Sequence, residues 1–169
     1  MNKVDGIILT ANEARDREVT PNEFKTIADT WLDAYVELHD VDYKAAGLES
    51  LGNPEGYVER QVKNWGKQYL AAATEEAPSA NKVMSWMEKN QPKNYHYSLI
   101  HNDYKYDNVV FVDDQWKKIA AILDWEMCTL GDPLMDLGTS LGYWTTASDA
   151  DFLKQGLPSP TTLEGNGFF

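Results

Sequence analysis

Residues 98–112 read SLIHNDYKYDNVVFV, and the reading of this stretch decides the fold. A histidine, two aspartates, a lysine and two asparagines crowd into positions 101–108, between apolar runs suited to burial. Burying polar groups beside core strands is costly unless they find partners there. Downstream, NVVFV (108–112) and IAAILDW (119–125) are short apolar runs separated by the Asp-rich turn DDQWKK (113–118). That is the pattern of a β-hairpin. A hairpin brings the residue before its first strand and the residue after its second strand to the same end. Asp103, Asn108 and Asp124 are therefore expected to converge. Two carboxylates and a carboxamide make a hard oxygen-donor set suited to Mg2+. Without a cation the carboxylates are expected to raise each other's pKa, and a metal that also binds phosphate oxygens would relieve that cost. The chemistry indicated is phosphoryl transfer.

Outward from this segment, the chain reads as α+β: mostly helical, with one inserted hairpin. VDGIIL (4–9) predicts a short strand or extended arm, and TANEARDRE (10–18) a polar loop. TPNE (20–23) supplies Thr20 as N-cap, Pro21 at N1 and Glu23 at N3, a capping box. The helix it opens places Phe24, Ile27, Ala28, Trp31, Leu32, Tyr35 and Leu38 on one buried stripe, ending near Leu38 or His39. After the turn-rich GLESLGNPEG (47–56), Asn53 and Pro54 are expected to start a second helix, with Tyr57, Val58, Val62, Trp65 and Tyr69 on one face. Ser79 is the expected cap of a third, where Val83, Met84, Trp86 and Met87 cluster. GDPLMDLGTSLGYW (131–144) returns to helical spacing, and GLPSPTTLEGNGFF (156–169) reads as a loop-like tail.

Composition bounds the partners. The 169 residues are 43% hydrophobic, with six Trp and nine Tyr, so the chain is long and apolar enough for one domain with a core. Fifteen basic against 27 acidic residues give a net charge of −12, which argues against nucleic acid as a main partner. A single cysteine, Cys128, forbids an intrachain disulfide and suggests a reducing, cytoplasmic setting. No apolar run reaches the roughly 18 residues of a membrane span. Tyr104 and Tyr106 are read as packing residues, and His39 as a helix-end or core histidine.

His101 to Asn108 is H-x-D-x-K-x-x-N, similar to the catalytic loop of protein kinases. Taken with ILDWE (122–126), TLGDPLMDLG (129–138), ELHDVD (37–42) and GLESLGNPEGYVERQVKNW (47–65), the chain resembles the aminoglycoside phosphotransferase family of small-molecule kinases, in the branch also found fused to acyl-CoA dehydrogenases. The resemblance implies a protein-kinase-like C-terminal lobe over residues 10–169, with 1–9 as the interlobe arm. It implies Asp103 as catalytic base, Lys105 near the transferred phosphate, and Asn108 and Asp124 as ligands of Mg2+ and, through it, of the nucleotide. Lys3 and Val4 fall on the linker that contacts adenine. His101 and Asp136 are implied as structural supports, Asp136 bracing the loop through its backbone N–H groups. ATP would be the donor and a hydroxylated small molecule the acceptor, with hydroxyacyl compounds suggested by the branch.

Asn102 stands where the family commonly has glycine, and asparagine is among the few residues that tolerate positive φ. No G-x-G-x-x-G and no V-A-I-K-like segment precedes the loop. A missing N-terminal lobe is thus an expected partner, the tail is expected to stop short of the family's final helices, and the exposed interlobe surface could support a homo-oligomer. Two other readings stay open at this stage: a non-catalytic ligand- or partner-binding fragment, and a metal-dependent phosphoesterase.

Overall fold

The computed structural model describes residues 3–75, 77–93 and 96–163. Residues 1–2 of the arm and 164–169 of the tail lie outside the described residues. The element order is β1 (Ile7–Ile8), α1 (Ala11–Asp16), α2 (Pro21–His39), α3 (Tyr57–Ala72), α4 (Pro78–Lys89), β2 (Ser98–Ile100), β3 (Val109–Phe111), β4 (Ile119–Ile122), β5 (Thr129–Gly131), α5 (Pro133–Gly142) and α6 (Asp151–Gly156).

The core is organised by α2. Thr20 accepts from the Glu23 N–H and the Glu23 carboxylate accepts from the Thr20 N–H, so the capping box forms as the sequence predicts. Phe24, Ile27, Ala28, Trp31, Tyr35 and Leu38 are buried along the stripe, whereas Leu32 is exposed at its edge. Trp31 stands 4.4 Å from the Tyr104 ring, which stacks on Tyr35 at 4.4 Å, and the Tyr104 hydroxyl donates to the Trp31 carbonyl (2.9 Å). The loop after β2 is thereby anchored to the helix through aromatic packing, not solvent-facing hydroxyls.

The expected hairpin is β3–β4, paired Val109↔Ile122 and Val110↔Ala121, with a bulge before Phe111↔Ile119. Two features go beyond it. The arm is a third strand: β1 lies antiparallel to β3, with Ile7 opposite Phe111. Gly6 permits this approach, since a Cβ there would collide with the Phe111 carbonyl. Leu9 is consequently fully buried, and the arm does not hang free. A separate two-stranded ribbon joins β2 to β5, pairing Ser98↔Gly131, Leu99↔Leu130 and Ile100↔Thr129. The three-residue β5 carries too short a pattern for sequence reading to separate it from the helix that follows.

Other expectations are corrected. Residues 11–16 are helical, not loop: Thr10 caps the Glu13 N–H, Ala11 and Ala14 are buried, and the helix lies against the turn Pro160–Thr162 of the tail. The second predicted helix begins at Tyr57, not Asn53, because Gly56 adopts φ 64° and the Asn53 side chain caps the Glu55 N–H in a turn. The guanidinium of Arg60 closes that turn onto the carbonyls of Asn53 and Glu55. Ser79 lies inside α4, whose N-cap is Ala77. Tyr57 and Val58 are buried, but Trp65, Tyr69, Val83 and Trp86 are exposed. Helical periodicity shows that a face is apolar; it does not supply what covers it.

Candidate active site

His101 closes β2 and opens a loop whose backbone is held from below. Asp136, fully buried on the first turn of α5, accepts from the His101 N–H at Oδ2 (2.9 Å) and from the Asn102 N–H at Oδ1 (2.7 Å). Its position follows from Asp132, which caps α5 by accepting from the Leu134 N–H. A third donor, His39 Nε2 at the end of α2, reaches Asp136 Oδ2 at 2.9 Å. Sequence reading took His39 as a helix-end or core residue; its contact with Asp136 was missed, and only the fold reveals it.

With two N–H groups turned onto one carboxylate, the chain takes a left-handed step at Asn102 (φ 64°), the conformation asparagine tolerates. The His101 ring is fully buried, with Nε2 on the Leu123 carbonyl (2.9 Å) and Nδ1 accepting the Asp103 N–H (3.2 Å). A carbonyl only accepts, so Nε2 carries the proton. Both ring nitrogens are committed to structure, and His101 links the loop of Asp103 to the residue preceding Asp124.

Asn108 completes the junction. Its Nδ2 donates to the Asp103 carbonyl and to Asp103 Oδ2, both at 2.8 Å. Its main-chain carbonyl accepts from the Leu123 N–H (2.8 Å), one step beyond the last β3–β4 pair. Asp124 follows, exposed, with φ 63° and no hydrogen-bond or ion-pair partner among the described residues. The structure thus brings Asp103, Asn108 and Asp124 to one end of the hairpin.

Lys105 Nζ pairs with both oxygens of Asp103 (2.9 and 3.0 Å) and lies 4.8 Å over the Tyr143 ring. Burial pushes the Asp103 carboxyl up, but hydrogen bonds from Lys105, Tyr143 and Asn108, with the Lys105 charge, hold it below the ordinary carboxylate range. The expected mutual elevation of the carboxylates is therefore not seen at Asp103, because a lysine already neutralises it. For Lys105, burial lowers the pKa and contact with Asp103 more than reverses that. Tyr143, missed in the sequence, is the C-cap that follows α5, with no spacing signal to mark it.

The sign of the resulting pH dependence is fixed. A lowered carboxyl contributes stability above its ordinary value of 3.8 that is lost as pH falls through the folded value. A raised lysine contributes below 10.5 and loses that as pH rises through its folded value. Lys105→Met should leave a partly buried carboxylate without its cation. Its destabilisation is expected to be largest near neutrality and to shrink below about pH 4, as read from melting temperature against pH. A pH-independent difference would show that the pair does not hold the loop.

Two cavities flank the junction. One, of about 830 Å3, is bounded by Lys3, Val4 and Ile8 of the arm and by Leu123–Glu126, so Lys3 and Val4 share a cleft with Asp124. The other, of about 210 Å3, opens beside Lys105 and Tyr143 under the Gly156–Pro160 turn. Among the described residues no three His, Cys, Asp or Glu side chains form a group that could hold a metal ion. No helix is long and apolar enough to cross a membrane among the described residues.

The model of the phosphotransferase enzyme family, APH, matches residues 1–159. The chain belongs to that family. The APH chain is 30% identical to a Ralstonia eutropha protein assigned as an aminoglycoside phosphotransferase, with a TM-score of 0.83 over 100% of this chain and 50% of that one. It is 38% identical over 139 residues to human acyl-CoA dehydrogenase family member 11, covering 82% of this chain and 18% of the relative. With mouse acyl-CoA dehydrogenase family member 10 it shares 36% over 131 residues, 72% of this chain and 12% of the relative. The chain thus spans half the length of its solved relative and less than a fifth of these two curated ones. Aminoglycoside-3'-phosphotransferase of type VIII, at 14% identity and a TM-score of 0.57, shares the fold. The α+β architecture is the kinase-like one of these phosphotransferases.

Proposed function

We propose that the chain carries the metal- and acceptor-binding half of an ATP-dependent kinase that phosphorylates a hydroxyl group of a small molecule. The observation that carries this reading is Asn108. Its Nδ2 is committed twice to Asp103, which leaves Oδ1 as the neutral oxygen donor, while its carbonyl fixes the strand end that presents the Asp124 carboxylate, without a partner among the described residues. These oxygens fit Mg2+, and Asn108 and Asp124 are the residues that would hold it. When bound, Mg2+ neutralises charge on the β- and γ-phosphates.

The chain's own groups do the rest. The cleft between the arm and Asp124 is of nucleotide size and is lined by Lys3 and Val4, beside which the adenine would lie. Asp103, ionised at neutral pH, accepts a hydrogen bond from the acceptor hydroxyl and aims its oxygen at the γ-phosphorus. As that P–O bond forms, the bond from the γ-phosphorus to the β–γ bridging oxygen breaks, and ADP leaves with that oxygen and the electron pair. The hydroxyl proton goes to Asp103. Lys105 supplies positive charge beside the phosphoryl group in flight. His101 and Asp136 hold the loop and touch no reacting atom.

The sequence holds no glycine-rich phosphate loop and no V-A-I-K-like lysine strand before His101. Efficient transfer is expected to need a lobe that supplies them, and the 169 residues alone to be nearly inactive. The acyl-CoA dehydrogenase relatives favour a hydroxyacyl acceptor, and the lone thiol Cys128 suits a cytoplasmic setting. The test is transfer of labelled γ-phosphate with Mg·ATP to a panel of hydroxyacyl esters, choline, homoserine and an aminoglycoside, in a protein holding both lobes. Label on an acceptor oxygen, abolished by EDTA and reduced about a hundredfold by Asp103→Ala, is expected. Undiminished transfer by Asp103→Ala would reject the assignment.

A further inference from the structure

The β2–β5 ribbon ends earlier than its register requires. Each step along Ser98↔Gly131, Leu99↔Leu130 and Ile100↔Thr129 advances one strand and retreats the other, so Asn102 falls opposite Met127. The backbone cannot make that rung, because the His101 and Asn102 N–H groups go to Asp136 and the chain turns left-handed at Asn102. Instead, the Asn102 side-chain Nδ2 donates to the Met127 carbonyl at 2.9 Å. The same carboxamide meets the Tyr57 hydroxyl, at the first residue of α3, with Nδ2 donating to it at 3.1 Å and Oδ1 at 3.3 Å from it. Met127 closes the short turn Trp125–Met127 that immediately follows Asp124.

We propose that Asn102 is a positioning residue: its carboxamide replaces the missing ladder rung and fixes the loop bearing Asp124 against the loop bearing Asp103. One side chain spans three elements that converge on the junction, namely the loop of residues 101–108, the Asp124 loop and α3. Glycine at this position would supply the positive φ and keep both N–H groups on Asp136, yet leave the Met127 carbonyl without its donor. The backbone requirement and the brace are therefore separable by one substitution.

The brace stands on hydrogen bonds in this chain; its consequence for metal and nucleotide rests on the function proposed above. Asn102→Gly is the test variant, with Tyr57→Phe as the second, milder one. Hydrogen exchange of the Trp125–Cys128 amides should accelerate about fivefold in Asn102→Gly, the factor for loss of one hydrogen bond of ordinary net strength. The His101–Asp103 amides should keep their protection, and Tyr57→Phe should give a smaller change at the same amides. Affinity for Mn·ATP should fall about threefold in Asn102→Gly, a readout that a merely structural contact would leave unmoved.

Unchanged exchange at Trp125–Cys128, or equal loss of protection in both loops, would overturn the brace. Faster exchange with undiminished Mn·ATP affinity would overturn its positioning role. If a protein holding both lobes bound no Mn·ATP, the kinase reading would fail, while the exchange comparison would still decide the brace.

Discussion

Asp136→Ala is expected to cost about 3–5 kcal/mol of folding stability, a large share of the 5–15 kcal/mol typical of a domain. The side chain is fully buried and accepts from three donors: the His101 N–H, the Asn102 N–H and His39 Nε2. Truncation strands all three, and each unsatisfied buried donor costs roughly 1–3 kcal/mol. Water entering the space recovers part of this, which keeps the total below the sum. Asp136→Asn retains the shape but converts one oxygen to a donor facing N–H groups, so it should lose a comparable fraction. Urea unfolding of the 169-residue chain measures both. A loss under about 1 kcal/mol in Asp136→Ala would show that the loop of residues 101–108 holds its shape without this carboxylate.

This prediction depends on a contact that sequence reading reached from one side only. The bracing of backbone N–H groups by Asp136 was an expectation from family resemblance; the approach of His39 from the far end of α2 was not, because 97 positions separate the two. Signals confined to a few residues were legible. Thr20 with Glu23 announced the α2 start, two compact apolar runs around DDQWKK announced β3–β4, and Tyr104 and Tyr106, read as packing residues, are buried. Signals that depend on what covers a face were not. Trp65, Tyr69, Val83 and Trp86 carry helical spacing and remain exposed. In α1 only two alanines face inward, too little apolar surface to stand out from ANEARD.

The site divides in the same way. Asp103, Asn108 and Asp124 could be placed together because a hairpin makes strand ends meet. Tyr143 and Tyr57 reach the same region from helices whose orientation no local pattern encodes. Asn102 was read for its backbone tolerance, and the structure gives it φ 64° together with two side-chain partners that no local pattern disclosed. Strain of this kind clusters at functional sites, and Asn102 and Asp124 both adopt the left-handed region beside the junction.

Asp124→Asn carries the largest expected effect on chemistry. It removes the charged member of the two-residue set that would hold Mg2+, and loss of that charge should lower phosphoryl transfer at least a thousandfold. The fold should survive, since the Asp124 carboxylate is exposed and partnerless among the described residues. Binding can be read without turnover by recording amide spectra of the chain with Mn·ATP, where the ion broadens only nearby signals. The account predicts that the Asn108 side-chain amide and the backbone amides of residues 103–108 and 123–126 broaden in the unsubstituted chain. In Asp124→Asn that broadening should disappear at the same nucleotide concentration. Broadening centred elsewhere, or identical in the two proteins, would contradict a magnesium-dependent phosphotransfer centre at the mouth of this hairpin.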